Sequence, residues 1–156
     1  GISYYIGGAF GLELDETDYK ILEILRRDAR TPFTEVGRDL GISDATVHVR
    51  VNKMTDEGII KKYTIVVDEE ALGRKVRGFA LINVNPGSLE EVANQLVENE
   101  RVSAVYEIHG PNDLIVKVEE GGLDEMRDLM LKVREIPNVA TTELITVFKV
   151  WKEKNV

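Results

Sequence analysis

From Leu14 onward the apolar positions follow a helical period, and farther along they alternate between strand and helical periods. Leu14-Asp15 followed by Asp18 reads as an N-cap with an acid at the third helical position. Ile21, Leu22 and Leu25 extend an apolar stripe, which predicts a helix over 15–28. Pro32 interrupts. Thr34 is placed to cap a short second helix carrying Val36 and Leu40, and Gly41 sits where a left-handed residue ends it. Ser43 caps a third helix, whose stripe is Val47, Val51 and Met54, and Gly58 terminates it.

After Gly58 the period changes. Residues 59–67 are rich in β-branched side chains with Lys61, Lys62 and Tyr63 interspersed, which predicts a strand, and the polar stretch 68–75 contains Gly73 and marks a boundary. A strand over 76–84 follows, then a turn at Pro86-Gly87. Ser88 then caps a helix whose Leu89, Val92, Ala93, Leu96 and Val97 make a full amphipathic face. Strands at 102–109 and 113–119 flank the turn Gly110-Pro111-Asn112. A helix carrying Leu123, Met126, Met130 and Val133 and a strand over 139–151 complete the chain. The order β-α-β-β-α-β is the ferredoxin-like plan, so the fold class is α+β, a helical N-terminal domain followed by a four-stranded antiparallel sheet with two helices on one face. Phe79-Ala80-Leu81-Ile82 and Leu144-Ile145-Thr146-Val147-Phe148 put apolar side chains on both sheet faces, whereas two helices cover one. The uncovered face points to self-association.

Residues 1–11 hold four glycines, three aromatics and no charge, so 1–13 are read as an N-terminal arm or an expression remnant. The whole chain has 156 residues, no cysteine and only His48 and His109 as histidines, which leaves no thiolate or histidine-rich metal site and no cysteine nucleophile. No run of eighteen apolar residues or signal-peptide pattern is present, so the expectation is a cytoplasmic protein with no membrane partner.

A net charge of −8 argues, at face value, against nucleic acid. Its distribution reverses that reading. Residues 45–62 carry four cations against two acids, while residues 64–156 carry 11 basic and 17 acidic side chains. The two helices joined by Gly41-Ile42 have the helix-turn-helix arrangement, whose second helix enters the major groove. On and around it Ser43, Asp44, Thr46, His48, Arg50 and Lys53 are the polar complement of the buried stripe, and Arg50 and Lys53 suit guanine edges or phosphates. Thr34 on the preceding helix joins these candidate DNA contacts. So do Lys61 and Lys62, as a wing gripping the backbone.

These residues carry a family resemblance. Leu14-Asp15, Ala29 to Val36, Leu40-Gly41-Ile42-Ser43, Thr46-Val47 with Arg50-Val51, Lys53-Met54 and Glu57 to Tyr63 resemble the Lrp/AsnC, or feast/famine, transcription regulators. The likeness continues through Ala71-Leu72-Gly73, Val105-Tyr106 with Gly110 and Asp113, and Ile136-Pro137 with Val139. The resemblance implies a winged helix-turn-helix DNA-binding domain at 14–63, a connecting strand and hinge at 64–75, and a RAM-type effector-binding and oligomerisation domain at 76–156. It further implies dimers that assemble into octamers, double-stranded DNA as partner, and an amino-acid effector bound between dimers, with no other cofactor and no metal. By position, the effector site comprises Glu107, His109, Gly110, Pro111, Asn112 and Asp113 on the turn, completed by Arg127, Leu131 and Thr142 of a neighbour. Gly110 would admit close approach and Asp113 would accept from an α-ammonium group. Where many members carry two threonines one residue apart, this chain has Thr142 and then Leu144, and Pro111-Asn112 replaces an acidic-aromatic pair.

The rival reading is a ferredoxin-like small-molecule-binding protein or enzyme with an incidental helical domain. Glu69-Glu70, Glu90-Glu91 and Glu119-Glu120 are adjacent pairs that cannot converge on one face of a strand, and no nucleophile–base pair or phosphate loop emerges. The expectation is therefore a regulator and not an enzyme.

Overall fold

The computed structural model describes residues 13–154; the arm expected at 1–13 lies, but for Glu13, outside the described residues. The chain divides into two compact units, one ending at Val66 and the other spanning Val67–Lys154.

In the first unit α1 (Glu16–Arg27), α2 (Phe33–Leu40) and α3 (Asp44–Asp56) enclose a core of Leu14, Ile21, Leu25, Val36, Val47, Val51 and Met54. Asp15 and Asp18 form a reciprocal capping box: Asp18 N–H donates to Asp15 Oδ1 at 2.9 Å and Asp15 N–H to Asp18 Oδ2 at 3.1 Å. Thr34 does not cap α2. Pro32 holds that place with φ −60° and ψ 141°, and its carbonyl accepts from Glu35 and Val36, which puts Thr34 one step inside the helix. Proline's fixed φ suits the residue before a helix, and the side-chain cap is forgone.

The strand expected over 59–67 is not formed. Ile59 and Ile60 both donate to the Met54 carbonyl, at 2.8 and 3.1 Å, and pack against the core. From Lys61 the chain is irregular, pairs with no strand among the described residues, and leaves Tyr63, Ile65 and Val66 exposed. β-Branched residues favour extended backbone, but a strand also needs a neighbour to take its N–H and C=O groups. Lys61 and Lys62 thus lie on an unpaired segment, not on a wing strand.

In the second unit β1 (Val76–Val84), α4 (Leu89–Glu98), β2 (Val102–Glu107), β3 (Leu114–Glu120), α5 (Leu123–Glu135) and β4 (Val139–Thr146) realise the βαββαβ order. The strands form one antiparallel sheet in the order β2-β3-β1-β4. Ala80, Ile82, Leu114, Val116 and Val118 alternate inward and pack on Val92 and Leu96 of α4 and Met126, Leu129, Met130 and Val133 of α5. Ser88 precedes α4, but its side chain makes no capping bond. β4 stops at Thr146 rather than 151, because Thr146 already faces Gly78 and Val147 donates to Arg77 O at 2.8 Å, next to the end of β1.

Arg101 ties α5 to the sheet: Nε donates to Glu120 Oε1 at 2.7 Å, Nη1 to Asp128 Oδ2 at 3.0 Å and Nη2 to the Glu125 carbonyl at 2.8 Å. Glu120 first and Asp128 second raise its already high pKa, and Arg101 and then Lys132 hold the Asp128 carboxyl below its usual range. Among the described residues the other sheet face is left open, with Phe79, Leu81 and Ile115 half-buried and Tyr106 and Ile145 exposed.

Candidate nucleic-acid interface and effector surface

The turn between α2 and α3 is built from backbone. Gly41 adopts φ 70° and ψ 30°, Ile42 N–H donates to Gly37 O at 2.9 Å and Gly41 N–H to Arg38 O at 3.4 Å, the pattern of a Schellman motif. The turn folds so closely onto α2 that a Cβ on Gly37 would stand 2.5 Å from the Ile42 carbonyl oxygen. Ser43 then starts α3, its hydroxyl accepting from Thr46 N–H at 3.1 Å and lying 2.8 Å from Thr46 Oγ1. That hydroxyl is occupied by capping, so the first contact candidate on α3 is a structural residue.

With Val47, Val51 and Met54 buried, α3 turns Ala45, His48, Val49 and Asn52 outward. His48 meets the Phe33 ring edge-on at a centroid distance of 4.5 Å. Asp44 and Lys53 are exposed, and Thr34 is exposed on α2. Lys61 and Lys62 line a cleft with Arg26, Arg27 and Arg30. Arg50 does not point freely outward: Nη1 lies 2.7 Å from Asp15 Oδ2 and 3.0 Å from Asp18 Oδ1. The hydrogen bond to Asp15 leads in raising the arginine's pKa, and the same bond leads in holding the Asp15 carboxyl below its usual value. A groove of about 560 Å³ runs beside this pair, between Ala45, Thr46, Val49, Arg50 and Lys53 on one side and Glu13, Asp15 and Asp18 on the other.

Sequence reasoning overlooked Gly37, Val49 and Asn52. Gly37 was signalled by a glycine midway in an eight-residue helix, where it carries a propensity cost of about 1 kcal/mol. Val49 was signalled by an apolar residue off the buried stripe.

On the second unit the predicted effector residues fall into separate groups. Glu107, His109, Gly110 and Pro111 are exposed around the β2–β3 turn, with Asn112 and Asp113 half-buried. Asp113 Oδ2 accepts from Val84 N–H at 2.9 Å beside the β1 bulge, Asp113 N–H donates to Ile82 O, and Asp113 O accepts from Ile108 N–H. One carboxylate oxygen expected to meet an ammonium group is therefore engaged in holding the turn to β1. Among the described residues a Cβ on Gly110 would meet nothing within 4 Å. Arg127 and Leu131 line a different groove, of about 310 Å³, with Leu123, Met126, Met130, Arg134 and Leu144 and without any turn residue. Thr142 Oγ1 is buried and has no hydrogen-bond partner among the described residues.

A helix-turn-helix with an open recognition face, joined to an independent α+β sandwich, defines a two-part transcription regulator. Residues 14–55 match the AsnC-type helix-turn-helix domain and residues 77–156 the Lrp/AsnC ligand binding domain. The chain belongs to the Lrp/AsnC family of transcriptional regulators. It is 38% identical over 140 residues to the HTH-type transcriptional regulator FL11 of Pyrococcus furiosus, a match covering 90% of this chain and 93% of that one. The solved structure of E. coli AsnC superposes with a TM-score of 0.88 at 28% identity, covering 92% of this chain and 97% of that one. The fold is also that of a Neisseria meningitidis transcriptional regulator solved as a complex with L-Met, with a TM-score of 0.86 at 19% identity over 91% of this chain and 94% of that one.

Proposed function

We propose that this protein regulates transcription in the cytoplasm as a dimer, assembling further to an octamer, that binds double-stranded DNA through α3 and answers to an amino acid held by the second unit. The observation that carries the reading is the turn at Gly37 and Gly41, which presents the outward face of α3 in a chain whose other half is a ligand-binding domain. The open sheet face, where Phe79, Leu81, Ile115, Tyr106 and Ile145 lie among the charged Arg77, Lys117, Glu119 and Glu143, supports pairing of second units, and effector occupancy would then change the spacing of paired recognition helices. The separation of the turn residues from Arg127 and Leu131 fits a site completed by a neighbouring chain. An amino acid would offer a carboxylate to the backbone amides of the exposed turn around Gly110 and an ammonium group to an acidic neighbour such as Glu107.

Fluorescence anisotropy with the duplex upstream of the protein's own coding region tests the reading. Affinity should fall with salt at a log–log slope of about −0.9 per phosphate neutralised, and absent or salt-insensitive binding overturns it. Light scattering should give a multiple of the 17.5 kDa chain at micromolar concentration; a strict monomer overturns the assembly. A thermal-shift screen over the twenty amino acids should raise the melting temperature for at least one, and no shift with any of them overturns the amino-acid effector.

A further inference from the structure

The outward positions of α3, Ala45, His48, Val49 and Asn52, are spaced at 0, +3, +4 and +7 and form one stripe along the helix. Val49 is 67% exposed. A β-branched residue there gains little burial and has a lower helix propensity than alanine, leucine or lysine, so the fold does not account for it. One turn earlier lies Ala45, and both side chains line the groove beside Lys53. The major groove displays one apolar group, the C5-methyl of thymine. Guanine is read by an arginine fork or a lysine ammonium; the only arginine of α3, Arg50, spends its guanidinium on Asp15 and Asp18, which leaves Lys53 as the cation of α3 that faces the groove. That pairing also offsets part of the negative charge of Asp15 and Asp18, which line the same groove and repel phosphate.

We propose that α3 reads its half-site chiefly through Ala45 and Val49 packed against thymine methyl groups, so that the ligand is a duplex with A·T pairs at the centre of each half-site. The inference rests on the reading that α3 enters the major groove.

The test uses the full-length protein and a duplex recovered by selection from a randomised pool. Each thymine is replaced in turn by deoxyuridine, which deletes the methyl and keeps the pairing. One or two positions per half-site should weaken binding about fourfold each, the value of one buried methyl. Val49→Ala, at an exposed position that leaves the fold intact, should bind the thymine duplex more weakly and be insensitive to deoxyuridine at the position that Val49 covers. Specific, salt-dependent binding that no deoxyuridine alters overturns the inference and leaves the regulator reading standing. Failure to enrich any sequence, together with no salt-dependent binding, overturns both.

Discussion

Arg50 Nη1 stands 2.7 Å from Asp15 Oδ2, so a cation of the recognition helix is bonded to the carboxylate that caps α1. The Asp15 carboxyl titrates below its ordinary value when folded, chiefly because of this bond. A depressed acid stabilises the fold fully above its unfolded pKa of about 4, and the gain is lost as pH falls through the lower folded value. Asp15 is 54% exposed, so solvent screening limits the contribution to about 0.5 kcal/mol. Urea unfolding followed by circular dichroism should show Arg50→Met less stable than wild type at pH 7, with the gap closing toward pH 3.

The same contact separates positioning from phosphate contact. Arg50→Met should weaken DNA binding while leaving the salt slope unchanged, and Arg50→Lys should restore part of the affinity, because a lysine can still pair with Asp15 and Asp18. Lys53→Ala, by contrast, should make the slope shallower by about 0.9. A slope lowered by Arg50→Met would show that the guanidinium leaves its carboxylates for the backbone.

Gly37 bears the recognition turn. A Cβ would meet the Ile42 carbonyl oxygen at 2.5 Å and the Asp44 nitrogen at 3.3 Å, so Gly37→Ala should cost about 2 kcal/mol and abolish DNA binding by prying α3 from α2. Gly41→Ala, with open space but φ 70°, should cost about 1 kcal/mol. Gly110→Ala, with neither restriction, should be neutral in thermal unfolding.

Asp113 is an internal strut whatever else it does. Asp113→Ala should lower stability by about 1 kcal/mol with no small molecule present, since Val84 N–H loses its acceptor. Thermal unfolding of the unliganded protein measures this, and a residue acting on ligand alone would leave the transition unmoved.

Much of the architecture was legible because period and caps are local signals. Ile21, Val47 and Met54 declared the helical faces, and Val76 to Val84 read directly as the strand it is. Most of what escaped was non-local. Residues 59–67 have strand propensity, but whether they pair depends on segments elsewhere. Arg50 and Asp113 have the right chemistry for ligands, yet their partners lie 35 and 29 residues away, at Asp15 and Val84, and no spacing rule announces them. Thr34 lost the cap to its neighbour Pro32, a competition decided by backbone conformation.

Because backbone atoms around Gly37 and Gly41 orient α3, its outward side chains have few duties to the fold: Ala45, Val49 and Asn52 are exposed, and none belongs to the core. Their replacement changes what the helix touches without changing where the helix stands. With α3 reading DNA as proposed, a lineage built on this scaffold would acquire a new set of target genes by single substitutions at these positions, each nearly silent in stability, and descendants of one regulator would diverge in what they control while remaining superimposable.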